Sequence, residues 1–89
     1  MKHHTYYTQG TCSVQIDFDI DETGCLHNVV FLGGCNGNLQ GIGRLVEGMP
    51  ASEVLGKLEG VRCGLNETSC PDQLARAIRD YNSISSMKL

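Results

Sequence analysis

Cys12-Ser13-Val14-Gln15-Ile16-Asp17-Phe18-Asp19-Ile20 alternates apolar and polar side chains without a break. Cys12, Val14, Ile16, Phe18 and Ile20 share one parity; Ser13, Gln15, Asp17, Asp19 and then Asp21 share the other. A period of two is that of a strand with one buried and one wet face. The three aspartates read as that wet face. Their two-residue spacing resembles a calcium loop, but it falls in a strand, and no Gly turn and terminal Glu follow. Asp21-Glu22-Thr23-Gly24 reads as a turn in which Gly24 takes positive φ. His27 to Leu32 then returns as a second strand, giving an antiparallel hairpin. Cys25 lies at the turn, off the inner parity, and reads as an incidental thiol. His27 falls among exposed positions.

Outward from the hairpin, Met1 to Gly10 is polar and without sustained periodicity. Residues 1–9 are therefore expected as a flexible segment, with His3 and His4 part of it rather than metal ligands. After the hairpin, Gly33-Gly34-Cys35-Asn36-Gly37-Asn38 has neither the Lys-Ser/Thr of a P-loop nor dinucleotide-binding spacing. It reads as a strand-to-helix turn capped by Asn36 or Asn38. Leu39, Ile42, Leu45, Val46 and Met49 recur at helical spacing as a buried stripe. Gly41 and Gly43 within it suggest close backbone packing or an irregular first turn. Gly48 ends this helix and Pro50 opens a second one, carrying Val54, Leu55 and Leu58 and stopped by Gly60. Val61 to Gly64 reads as a short extended piece carrying Cys63. A last helix starts at Ser69-Cys70-Pro71-Asp72 and presents Leu74, Ile78 and Tyr81 on one face. The expected organisation is one domain over residues 10–82 and a polar tail over 83–89. The expected fold is α+β, an antiparallel sheet of two or three strands covered on one face by about three helices.

A chain of 89 residues with net charge −3 is one small domain. It is too short for a large catalytic barrel, and its acidic balance argues against nucleic-acid binding. The longest aliphatic or aromatic run is Val29-Val30-Phe31-Leu32, too short for a membrane span or a signal peptide. A cytoplasmic location is the resulting expectation.

Five cysteines need an explanation, because an odd number cannot close completely into intramolecular disulfides. In a reducing compartment clustered thiols bind metal or react more often than they cross-link. Against this stands the plain alternative that each is a small buried apolar residue. Pro71 prefers the first helical position, which makes Cys70 the N-cap or the first turn. Unpaired N–H groups and the helix dipole there favour a thiolate, the form needed for both coordination and nucleophilic chemistry. Asp72 in the same turn reads as a carboxylate complementing the dipole. Cys12 and Cys35 belong to adjacent strand ends at one end of the hairpin, Cys63 stands before the loop, and Cys70 stands at the last helix start. If that helix docks at the same end, the four converge as a zinc or iron–sulfur site. Their spacing, with gaps of 22, 27 and 6 residues and no CxxC, matches no standard finger or ribbon.

Thr68-Ser69-Cys70-Pro71-Asp72, followed by Gln73-Leu74-Ala75-Arg76-Ala77-Ile78, resembles the TSCPD domain family. A related domain ends the large chain of adenosylcobalamin-dependent ribonucleotide reductases. The resemblance runs from about Tyr7 to Tyr81 and includes GGCNGN and Cys63-Gly64. It implies a cysteine-rich metal-binding module with Cys12, Cys35, Cys63 and Cys70 as ligands, holding zinc or an iron–sulfur cluster. Its partner would be a ribonucleotide reductase or another redox protein. The chain also resembles, more distantly, the U-type iron–sulfur scaffolds, with Cys12, Cys35 and Cys70 at the three scaffold-cysteine positions. It departs from them at Val14, where they carry Asp, and at Ser69, where they carry His. It also lacks their chaperone-docking stretch. Cluster carriage and a thiol relay for ribonucleotide reduction are therefore the alternative functions.

Overall fold

The hairpin supplies two strands of a three-stranded sheet, its first strand at the centre. The computed structural model describes residues 1–11, 13–34 and 36–87, and of Asn36, Ser86 and Met87 it describes the backbone. In chain order the elements are β1 (Lys2–Tyr7), β2 (Ser13–Ile20), β3 (Leu26–Gly33), α1 (Asn36–Leu45), α2 (Ala51–Leu58) and α3 (Cys70–Met87). The strands lie in the order β1-β2-β3, antiparallel throughout. This is the α+β architecture expected. The turn is closed by Gly24 N–H donating to Asp21 O at 3.0 Å, with Gly24 at φ +86°. No helix among the described residues is long and apolar enough to cross a membrane.

The first residues form a strand where the sequence reading had no element. Their alternation is hidden because a polar residue takes an inner position. His4 lies opposite Phe18 in register. Its ring sits 5.5 Å from Phe18 and 5.6 Å from Tyr81, and its Nε2 meets Asp80 at 2.9 Å. Partners for the nitrogen and aromatic faces for the ring make its burial tolerable.

Two bulges alter the expected faces. Ser13 pairs with Gly33 while Gln15 pairs with Leu32, so Val14 is an extra residue in β2. Such an insertion inverts the parity beyond it. Val14, expected inside, is 60% exposed, and Ser13, expected outside, is 4% exposed. In β3 the extra residue is Asn28, at φ +54°. Its N–H donates to Glu47 and its side chain to Asp19.

Inside, Ile16, Phe18, Ile20, Leu26 and Val29 of the sheet pack with Val46, Ala51, Val54, Leu74, Ala77 and Ile78. On α1, Leu39 is buried and Ile42 half-buried, but Leu45 is exposed, not part of the stripe. At 100° per residue Leu45 stands about 120° around the axis from Leu39. Gly43 is a close-approach site, since a Cβ there would sit 2.7 Å from the Val29 carbonyl oxygen; at Gly41 the space is open. Pro50 precedes α2, and Ala51 N–H donates to Gly24 O at 2.9 Å, tying α2 to the turn. Residues 61–64 form no strand: Val61 N–H bonds Leu58 O, and Asn66 N–H bonds Cys63 O. Helix α3 continues to Met87, so 83–87 of the expected tail is helical; residues 88 and 89 lie outside the described residues.

Candidate functional site

The start of α3 is built from side chains that bond one another and nearby backbone groups. Ser69 is the cap, accepting from Asp72 N–H at 3.2 Å while its hydroxyl donates to Val61 O. Cys70 is thus the first helical residue and Pro71 the second, one place later than Pro71 alone suggests. Capping falls to Ser69 because a hydroxyl oxygen accepts from the N3 amide far better than a thiol does. Asp72 does more than complement the dipole. Its Oδ1 accepts from Gly60 N–H at 2.7 Å, and its Oδ2 accepts from the Thr68 hydroxyl and from Arg76 Nε at 3.1 Å. Burial pushes this carboxyl up, but the Thr68 and Gly60 bonds and the Arg76 charge outweigh it and hold it below its ordinary value. Gln73, fully buried, donates to Thr68 Oγ1 at 2.9 Å and accepts from Gln9 N–H at 3.1 Å. The loop between β1 and β2 is thereby held on α3. Gly10 at φ +76° lies so close that a Cβ there would meet the Thr68 methyl at 3.1 Å.

Cys70 is buried against the sheet, its thiol donating to Ser13 Oγ at 3.2 Å. Ser13 Oγ also lies 3.0 Å from Thr11 Oγ1. Ser13 pairs with Gly33, so this contact stands at the open end of the hairpin. Cys63 is exposed on the 60–69 loop, its N–H bonded to Thr68 O at 3.3 Å. Cys12 and Cys35 lie outside the described residues. The structure therefore brings together Cys70, the neighbour of Cys12 and the strand end that leads to Cys35. Among the described residues no group of three or more His, Cys, Asp or Glu could hold a metal ion. Cys70 stands at the N-terminus of α3, and Cys63 stands on the loop tied to that helix through Asp72.

Sequence reading missed Ser13, Thr68, Ser69 and Gln73 as site residues. Ser69 and Asp72 carried a usable signal, a hydroxyl followed three residues later by a carboxylate ahead of an apolar run. Ser13 carried none, because its burial depends on the Val14 bulge.

The turn end is charged. Both ring nitrogens of His27 lie 2.7 Å from carboxylates, Nε2 from Asp21 and Nδ1 from Glu47. Asp21 and then Glu47 raise the His27 pKa, while Thr23 and then His27 lower that of Asp21. His3 Nδ1 meets Asp19 at 2.7 Å and its Nε2 lies 3.4 Å from Asp17. Cys25 is half-buried at this same end, bridged to Pro50. A groove of about 490 Å³ runs between β3 and α1, lined by residues that include Val30, Phe31, Leu39 and Arg44. None of its lining comes from the start of α3.

Compared with known proteins, residues 1–82 match the family model described as the TSCPD domain. No curated protein and no solved structure matches the chain. The match carries the TSCPD resemblance and lends no support to the U-type one.

Proposed function

From the premise that this chain belongs to the TSCPD domain family, we propose that it is a metal-binding module. Cys12, Cys35, Cys63 and Cys70 supply its thiolates to zinc or an iron–sulfur cluster. One observation carries the reading: the Cys70 thiol bonds Ser13, which is itself paired with Gly33. Ser13 follows Cys12, and Gly33 precedes Cys35 by two residues. Cys63 is tied in through Thr68. A bound metal would cross-link strand ends, loop and helix, which suits a chain too small for a large core. The partner proposed is a ribonucleotide reductase or another redox protein of the cytoplasm.

Ser69 argues against cluster delivery in the manner of the U-type scaffolds. It stands where they carry a His ligand, and its hydroxyl is already engaged as cap and as donor to Val61 O. Thiol relay is the second reading, favoured by an exposed Cys63 on a loop bonded to the helix of buried Cys70.

Elemental analysis with a UV-visible spectrum on protein purified without oxygen tests the proposal. About one zinc per chain and no colour supports a closed thiolate site, and iron with sulfide absorbance supports a cluster. No metal, with four or five thiols reactive, overturns the metal reading in favour of the relay. Cys70→Ser should remove the metal while Cys25→Ser retains it.

A further inference from the structure

We infer that Asp72 is a positioning residue, holding the loop that bears Cys63 against the start of α3. The inference deepens the metal reading and rests on it for its consequence. Gly60 and Thr68, the two ends of that loop, bond the two different oxygens of this one carboxylate. Within the closure, Cys63 N–H bonds Thr68 O and Ser69 Oγ bonds Val61 O. Every residue from Val61 to Glu67 is exposed, so apolar packing does not shape the loop. What shapes it is the polar base, and the base is Asp72.

A carboxylate serving only the helix would bond amides of its own first turn. Asp72 instead receives an amide from twelve residues earlier and a hydroxyl from four residues earlier. Arg76, one turn later, donates to the same oxygen as Thr68. The geometry sets where Cys63 stands relative to Cys70, and through that the affinity for a metal both would ligate. Outer partners of this kind are worth about 10–100-fold in metal affinity.

Zinc affinity is measured by chelator competition for wild type, Asp72→Asn, Cys63→Ser and the double variant. Asp72→Asn is expected to lose about tenfold in zinc affinity on the wild-type background. In the Cys63→Ser background it should lose nothing further, because its effect runs through Cys63. Equal losses in both backgrounds, or no loss, would overturn the inference. Thr68→Val, which keeps the carboxylate and removes one of its donors, follows the same pattern in smaller degree and replaces Asp72→Asn if that variant does not fold. If wild type takes up no zinc, the zinc form of the metal reading fails and the positioning role is judged alone. Amide exchange at Gly60 and Cys63 should then rise in Asp72→Asn while Leu74 and Ile78 stay protected. Unchanged exchange at Gly60 and Cys63 would sink it.

Discussion

The two ends of the β2-β3 hairpin are closed by opposite chemistry. At the turn end His27, Asp21 and Glu47 pair with side chains 22%, 28% and 48% exposed. At the open end Ser13, Thr68, Ser69, Cys70, Asp72 and Gln73 are all buried. Water competes for these ion pairs, so each contributes little and depends on salt. At the second end a buried group that loses its partner finds no water to replace it. The turn end adjusts; the open end fixes geometry. Chemistry that needs side chains held in place belongs at the open end, where the TSCPD residues are.

The largest test of that contrast removes a carboxylate from each end. Asp72→Ala leaves the Thr68 hydroxyl and the Gly60 amide without their acceptor. At about 1–3 kcal/mol for the buried Thr68 hydroxyl, and less for the amide of exposed Gly60, the expected loss is about 3 kcal/mol. Asp21→Ala should lose far less, because water and the remaining turn bonds take over. Urea denaturation of both variants, at equal m-value, measures the difference. Equal losses would abolish the distinction between the ends.

A smaller change keeps shape and removes only polarity. Gln73→Leu replaces a fully buried amide with an apolar side chain of similar size and removes its bonds to buried Thr68 Oγ1 and to the N–H of exposed Gln9. The expected loss is about 1–2 kcal/mol, with faster amide exchange at Gln9. Next, Ser69→Ala removes the cap of α3 and should lose about 1 kcal/mol. It also frees Val61 O, so the loop bearing Cys63 loosens before the helix does. A Ser69→Ala variant with the loop unchanged would show that capping and loop closure are separate.

Legibility followed the same division. The hairpin, its turn and the two later helices were readable because period two, Gly24 and Pro50 act locally. The first strand was not, because His4 takes an inner position on the strength of Phe18, Tyr81 and Asp80, all distant in sequence. Val14 and Ser13 exchanged faces because one bulge outweighs a clean alternation. At the site, the motif around Cys70 stood out by residue type. The buried network behind it did not, since Thr68, Asp72 and Gln73 have the composition of a wet helix start. Only the fold brings Gly60 and Gln9 to them.

The smallest effect is the pH response of the turn end. His27 titrates above its ordinary 6.5 when folded, so its contribution is complete below 6.5 and is lost as pH rises through the folded value. Asp21 and Glu47 titrate below their ordinary 3.8 and 4.5, so theirs are present above those values and lost as pH falls through the folded ones. The clamp is therefore strongest between about 4.5 and 6.5, where all three groups are charged. The melting temperature of wild type minus that of His27→Gln should be greatest in this window and shrink above it, and added salt should flatten the curve. His3 also titrates high beside Asp19, but it is present in both proteins and cancels in the difference. A difference independent of pH and salt would mean that a neutral imidazole closes the turn. The two ends of the hairpin would then be held by the same kind of bond, and only burial would separate them.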